Sequence, residues 1–259
     1  MDLGIAGRRA VVTGASRGLG RGCAEALAAE GVHLVLAARG REALEEAAAA
    51  IRAAHGVPVT AVAADVTAAE GRQRLIEAAG EADILVTNAG GPPPGAWHEF
   101  GREDLLAALE ANMLSAVALA GAFLPGMCAR GWGRVVNITS SAVRAPSRSL
   151  GLSTAARMGL TGWVAAVARE VAGQGVTINN LLPGSHETDR IVALDRAAAE
   201  REGLSLEAVQ ARRRAEIPAG RYGTPAEFGA ACAFLCSVRA GYIVGQNLLV
   251  DGGATALTL

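Results

Sequence analysis

Lysine is missing from this chain of 259 residues: all 24 basic residues are arginine. That removes Schiff-base chemistry, a phosphate-gripping Walker lysine and any lysine tuned as a general acid. Aromatics are scarce, and Tyr222 and Tyr242 are the only phenols in the chain. The four cysteines, Cys23, Cys128, Cys232 and Cys236, are scattered except for the last two, which stand four apart on an apolar helical pattern. They read as buried thiols rather than a redox or metal site. His33, His55, His98 and His186 have no companion at metal-ligand spacing, so no metal is expected. No apolar run reaches the roughly 18 residues that cross a bilayer. The opening Met1-Asp2-Leu3-Gly4 lacks the charged and apolar regions of a signal peptide. A net charge of −1 leaves no electrostatic footprint for nucleic acid or an anionic membrane. A soluble cytoplasmic protein is expected.

What is abundant is apolar: 51% of the residues are hydrophobic, and short β-branched runs alternate with alanine-rich helical stretches from the start. That alternation predicts an α/β fold, one domain over residues 1–259 with a parallel sheet covered on both faces. Seven strands are read near residues 10–13, 32–38, 57–63, 84–88, 134–139, 177–181 and 247–250. Leu19, Cys23, Ala26 and Leu27 give the first helix an apolar face, and Gly31 stops it. Further helices are read over 41–54, 68–79 with Thr67 as N-cap, 113–127 and 150–172. Residues 185–216 differ, being crowded with charge, and read either as a solvated pair of surface helices or as a helical lid over a substrate site.

Directly after the first strand comes Thr13-Gly14-Ala15-Ser16-Arg17-Gly18-Leu19-Gly20, opening the first helix. Glycines there let the chain turn sharply and let a diphosphate approach backbone N–H groups at the positive end of the helix dipole. The second strand closes Leu36-Ala37-Ala38-Arg39, with no carboxylate to accept from an adenosine ribose 2′-hydroxyl. Arg39 and Arg17 are instead placed for charge-assisted bonds to a 2′-phosphate. NADP(H) is therefore expected over NAD(H).

With these residues in view, the chain resembles the short-chain dehydrogenase/reductase family along nearly its whole length, above all its 3-oxoacyl-carrier-protein-reductase-like branch. The matching residues are Gly14, Gly18 and Gly20, then Asp65-Val66, Asn88-Ala89-Gly90, Asn112, Ser140, Pro183-Gly184 and Asp251-Gly252-Gly253. The resemblance implies a Rossmann-type doubly wound domain and a carbonyl or secondary-alcohol substrate. It implies that Asp65 and Val66 flank the adenine, that Asn88, Ala89 and Gly90 line the cofactor, and that Pro183 and Gly184 face the nicotinamide. It also implies a homotetramer pairing the long helices over 113–127 and 150–172 and the last strand.

The family's hydride-transfer site uses Asn, Ser and a Tyr-x3-Lys pair. Asn112 and Ser140 match, but the Tyr position falls on Ser153 and the Lys position on Arg157. Arg157 keeps a charge and donors for ribose hydroxyls, whereas a serine hydroxyl is no acid in the ordinary aqueous range. A proton would then come from a water held by Ser140, Ser153 and Asn112, or from His186, which otherwise reads as a surface residue opening the lid. Arg144 and Arg148 either bind an acidic substrate or face water. Two readings follow: an atypical NADP(H)-dependent oxidoreductase, and a catalytically silent NADP(H)-binding sensor or structural partner.

Overall fold

In a computed structural model, which describes residues 1–256, the β-branched runs form seven strands: β1 (Arg9–Thr13), β2 (His33–Ala38), β3 (Val59–Ala63), β4 (Ile84–Thr87), β5 (Gly133–Ile138), β6 (Val176–Pro183) and β7 (Asn247–Val250). All pair in parallel, in the order β3-β2-β1-β4-β5-β6-β7. Alternate strand residues feed opposite faces. Ala10, Val12, Leu34 and Leu36 pack under helices α1 (Gly18–Ala29), α2 (Arg41–His55) and α9 (Pro225–Cys236). Val11, Val35, Leu85 and Ile178 pack under α3 (Ala69–Ala79), α5 (Ser115–Ala129) and α6 (Gly151–Val171). Burying each such aliphatic side chain stabilises the fold by about 1.5–3 kcal/mol.

Strand order reverses between β1 and β4, which opens a crevice at their carboxyl ends. Thr13 and Asn88 stitch that point: Thr13 Oγ1 donates to Asn88 O at 2.8 Å, and Asn88 N donates to Thr13 Oγ1 at 2.7 Å. Asn88 is thereby turned out of the strand, which ends one residue earlier than expected.

Three expectations about elements need correction. Thr67 does not cap α3; the N-cap falls one residue later, on Ala68, and the Thr67 N–H and hydroxyl both donate to Asp65 Oδ1 in the turn before it. The helix expected from residue 113 begins at α4 (Arg102–Leu109) and runs through a π-helical turn, Glu110–Leu114, into α5. By length and composition, Arg102–Ala129 is apolar enough to cross a membrane, yet Leu119, Ala120, Phe123 and Met127 pack against the sheet. Finally, α7 (Asp189–Glu202) and α8 (Leu206–Glu216) are not merely solvated. Asp195 is fully buried, where it accepts from Arg213 Nε at 2.6 Å and Tyr222 Oη at 2.9 Å.

Candidate active site

The turn from β1 into α1 has no room for a side chain at Gly14 or Gly20. A Cβ on Gly14, whose φ is +60°, would stand 2.6 Å from Asn88 Nδ2, and one on Gly20 would stand 2.3 Å from Gly14 O. Arg17 occupies the N-cap of α1 without a side-chain capping bond, so the first-turn N–H groups lack a side-chain acceptor. Donors at a helix N-terminus and a cradle that only glycine permits suit a diphosphate. Ser16 and Leu19 are half-buried along the same turn.

Beyond β2, Arg39 is exposed and its charge reaches Asp65. The Asp65 carboxyl is held below its usual range first by the Thr67 hydrogen bonds and then by Arg39. Arg17 is placed differently from the expectation: Nη1 bonds Asp189 Oδ2 at 2.8 Å, which ties the glycine turn to the start of α7 instead of leaving this guanidinium beside Arg39. Val66 packs on the core beside α3.

The reactive end lies across the crevice. A cavity of about 10 Å³, room for one water, is lined by Thr13, Thr87, Asn88, Ala89, Asn112 and Arg157 among others. The π-turn presents Asn112 there: Nδ2 donates to Gly90 O at 3.3 Å, while the buried Oδ1 has no partner among the described residues. On α6, Ser153 and Arg157 sit one turn apart, both buried. Arg157 Nε donates to Ser153 Oγ at 3.2 Å, and Nη1 donates to Ile138 O at 2.8 Å. Burial, with a smaller contribution from Arg190, pushes the Arg157 pKa down to about 10. Ser140 lies two residues beyond β5 in extended backbone, and its Oγ accepts from Ala142 N at 3.1 Å. Among the described residues no hydrogen bond joins Ser140 to Ser153 or Asn112.

Pro183 pairs with Val250, and Gly184 lies so close to Asp251 that a Cβ would stand 2.6 Å from that residue's own. His186 is not on the surface: it is 3% exposed, edge-on to Phe228, with Nδ1 near Gly184 O and Nε2 buried without a partner. Burial pushes its pKa down, so it rests neutral and is a poor acid. Arg144 and Arg148 are exposed. Tyr242 is fully exposed, and Tyr222 is tied to Asp195, which together with burial raises its pKa to about 12.

Sequence reading missed a polar ladder under the site. Thr87, Asn137, Asn180 and Asn247 are register partners on four neighbouring strands, and Thr87 Oγ1, Asn137 Nδ2 and Asn180 Nδ2 each donate to the next. Polar residues in otherwise apolar strands were the available signal. Also missed was Arg190, whose Nη2 donates to Pro92 O at 2.7 Å across the crevice mouth.

A parallel sheet with a glycine cradle at its switch point defines a dinucleotide-binding protein. Residues 14–255 match the family described as Enoyl-(Acyl carrier protein) reductase. The 3-oxoacyl-acyl-carrier-protein reductase of Vibrio cholerae is 34% identical over 255 residues, covering 97% of this chain and 98% of its own. The D-beta-hydroxybutyrate dehydrogenase of Cupriavidus necator is 34% identical over 257 residues, covering 96% and 98%. The L-sorbose reductase of Gluconobacter frateurii, solved with NADPH and L-sorbose, superposes with a TM-score of 0.94 at 34% identity, covering 99% of this chain and all of that one. The chain belongs to the short-chain dehydrogenase/reductase family of oxidoreductases.

Proposed function

We propose that this protein is an NADP(H)-dependent oxidoreductase acting on a carbonyl or secondary alcohol through an altered site, in which Ser153 and Arg157 stand in for the family's Tyr and Lys. The observation that carries it is the bond from Arg157 Nε to Ser153 Oγ. With that lone pair occupied by a cation, the Ser153 O–H is free to donate to a substrate oxygen, and developing negative charge there meets a buried positive one. When bound, the cofactor supplies or accepts the hydride. Ser140 polarises the substrate oxygen, and Asn112, which lines the water-sized cavity, serves as a station for proton exchange.

Magnitudes favour slowed rather than abolished turnover. A positioned general acid contributes about 10²- to 10⁴-fold. Proximity of the reacting groups contributes up to about 7–11 kcal/mol, and it depends on the cradle that Gly14 and Gly20 keep open. NADP(H) is preferred in this reading because Arg39, with no acid at the end of β2, greets the 2′ position. Relatives named for an acyl-carrier thioester, a hydroxybutyrate and a ketose support a small carbonyl or alcohol substrate. Exposed Leu106, Leu114 and Met158 on the long helices, with Leu248 on β7, support a homo-oligomer, a tetramer in our reading, testable by light scattering.

A second reading, a silent NADP(H)-binding sensor or structural partner, is favoured by the placement of both tyrosines away from the site. The two separate on one experiment. Purified protein is mixed with NADPH and a panel of ketones, quinones and 3-oxoacyl thioesters, and NADPH oxidation is followed by absorbance. Consumption with any of them supports the enzyme; silence with intact NADPH binding supports the sensor.

A further inference from the structure

Two guanidinium groups border the crevice. Arg157 engages Ser153 Oγ and Ile138 O, and Arg190, second residue of α7, reaches over to Pro92 O. Arg190 Nη2 would stand 3.2 Å from a Cβ on Gly91, so the group lies directly over the segment that follows Asn88-Ala89-Gly90. Among the described residues neither guanidinium has a carboxylate within 4.0 Å. Asp189, the adjoining acid, is already taken by Arg17. The charge of Arg190 is felt at Arg157, and it also stands in the first turn of α7, the end of a helix that disfavours cations. Arg190 is exposed, so its uncompensated charge beside the buried Arg157 is open to an anion. Arg190 Nε makes no hydrogen bond among the described residues, so the Nε–Nη2 edge, one of the two that a carboxylate engages, becomes complete once Nη2 releases Pro92 O.

The geometry points to a substrate that brings its own negative charge: an oxo acid or the corresponding hydroxy acid, whose carboxylate is gripped by Arg190 of the lid. This rests on the oxidoreductase reading above. In the reductive direction the ketone carbon gains a hydride from NADPH and its oxygen gains a proton, giving the hydroxy acid and NADP⁺; the carboxylate is unchanged. Arg190 acts as a specificity residue and exchanges its bond to Pro92 O for the substrate.

The test pairs short oxo acids with their methyl esters. kcat/KM is measured with NADPH, and, independently of turnover, each compound is titrated into the protein bound to NADP⁺. The wild type is expected to favour acid over ester by about tenfold to a hundredfold, the range of a charge-assisted hydrogen bond. Arg190→Gln brings that ratio near one, and Arg190→Lys keeps part of it. Parity of acid and ester in the wild type overturns the proposal, as does a ratio unmoved by Arg190→Gln. It is overturned too if Arg190→Gln weakens NADPH binding by the same factor, since Arg190 then clamps the cofactor diphosphate. Acids that bind through Arg190 without turning over leave this inference standing and sink the oxidoreductase reading. Neutral ketones that turn over with no acid preference do the reverse, and binding of neither acid nor ester sinks this inference.

Discussion

Arg157 Nε and Ser153 Oγ are joined at 3.2 Å within one turn of α6, and the Ile138 carbonyl fixes the guanidinium from the other side. In the proposed function a serine so held donates the proton. Ser153→Ala is expected to lower kcat by about tenfold to a hundredfold, toward the lower end of general-acid contributions, while NADPH affinity is retained. Steady-state kinetics with parallel calorimetry checks both; an unchanged kcat removes Ser153 from the chemistry.

Arg39 follows β2 on the surface, with its charge reaching Asp65. Arg39→Ala is expected to weaken NADPH by about tenfold to a hundredfold, since a charge-assisted phosphate bond contributes about 1.5–3 kcal/mol. NADH affinity should move far less. Titration of both nucleotides into both proteins decides it, and equal losses for the two would show that Arg39 does not read the 2′-phosphate.

Gly14 has a φ of +60° and no room for a Cβ beside Asn88. Gly14→Ala therefore meets a left-handed backbone penalty of about 1–2 kcal/mol and pushes Asn88 off the β1–β4 stitch. A lower Tm and a loss of at least about tenfold in nucleotide affinity are expected, that factor being about 1.4 kcal/mol. Wild-type NADPH binding by this variant would contradict the placement of the cradle.

His186 is buried neutral, its folded pKa lying below the ordinary imidazole value of about 6.5. The unfolded chain therefore binds a proton that the folded chain refuses. The stability involved is present above that ordinary value and is lost as pH falls below it toward the folded pKa. Melting curves between about pH 7 and pH 5 should show a fall in Tm that His186→Leu reduces. The same slope in both proteins would place the acid sensitivity elsewhere.

The sheet was legible because its inner strands are buried on both faces and so read as continuous β-branched runs such as Ala10-Val11-Val12-Thr13. The glycine turn was legible because its chemistry is local. Thr67 misled because the N-cap falls one residue later, with the Thr67 hydroxyl turned to Asp65, and the start of the long helix was missed because the π-turn breaks the 3.6 periodicity around Asn112. His186, Arg190 and the Arg17–Asp189 pair were misplaced or unseen since each depends on where α7 docks, a long-range outcome that no local pattern records. The amide ladder through Asn137 and Asn180 depends on strand register in the same way.

The central claim, that Ser153 and Arg157 form a weakened version of the family's proton-donating pair, is tested most directly by the double variant Ser153→Tyr/Arg157→Lys. NADPH oxidation by wild type and variant is compared on the same carbonyl panel at matched cofactor saturation. The account predicts measurable consumption by the wild type and a rate at least about tenfold higher in the variant, a modest part of what a tuned general acid contributes. A wild type that binds NADPH but consumes none, or a double variant that loses an activity the wild type has, would contradict it.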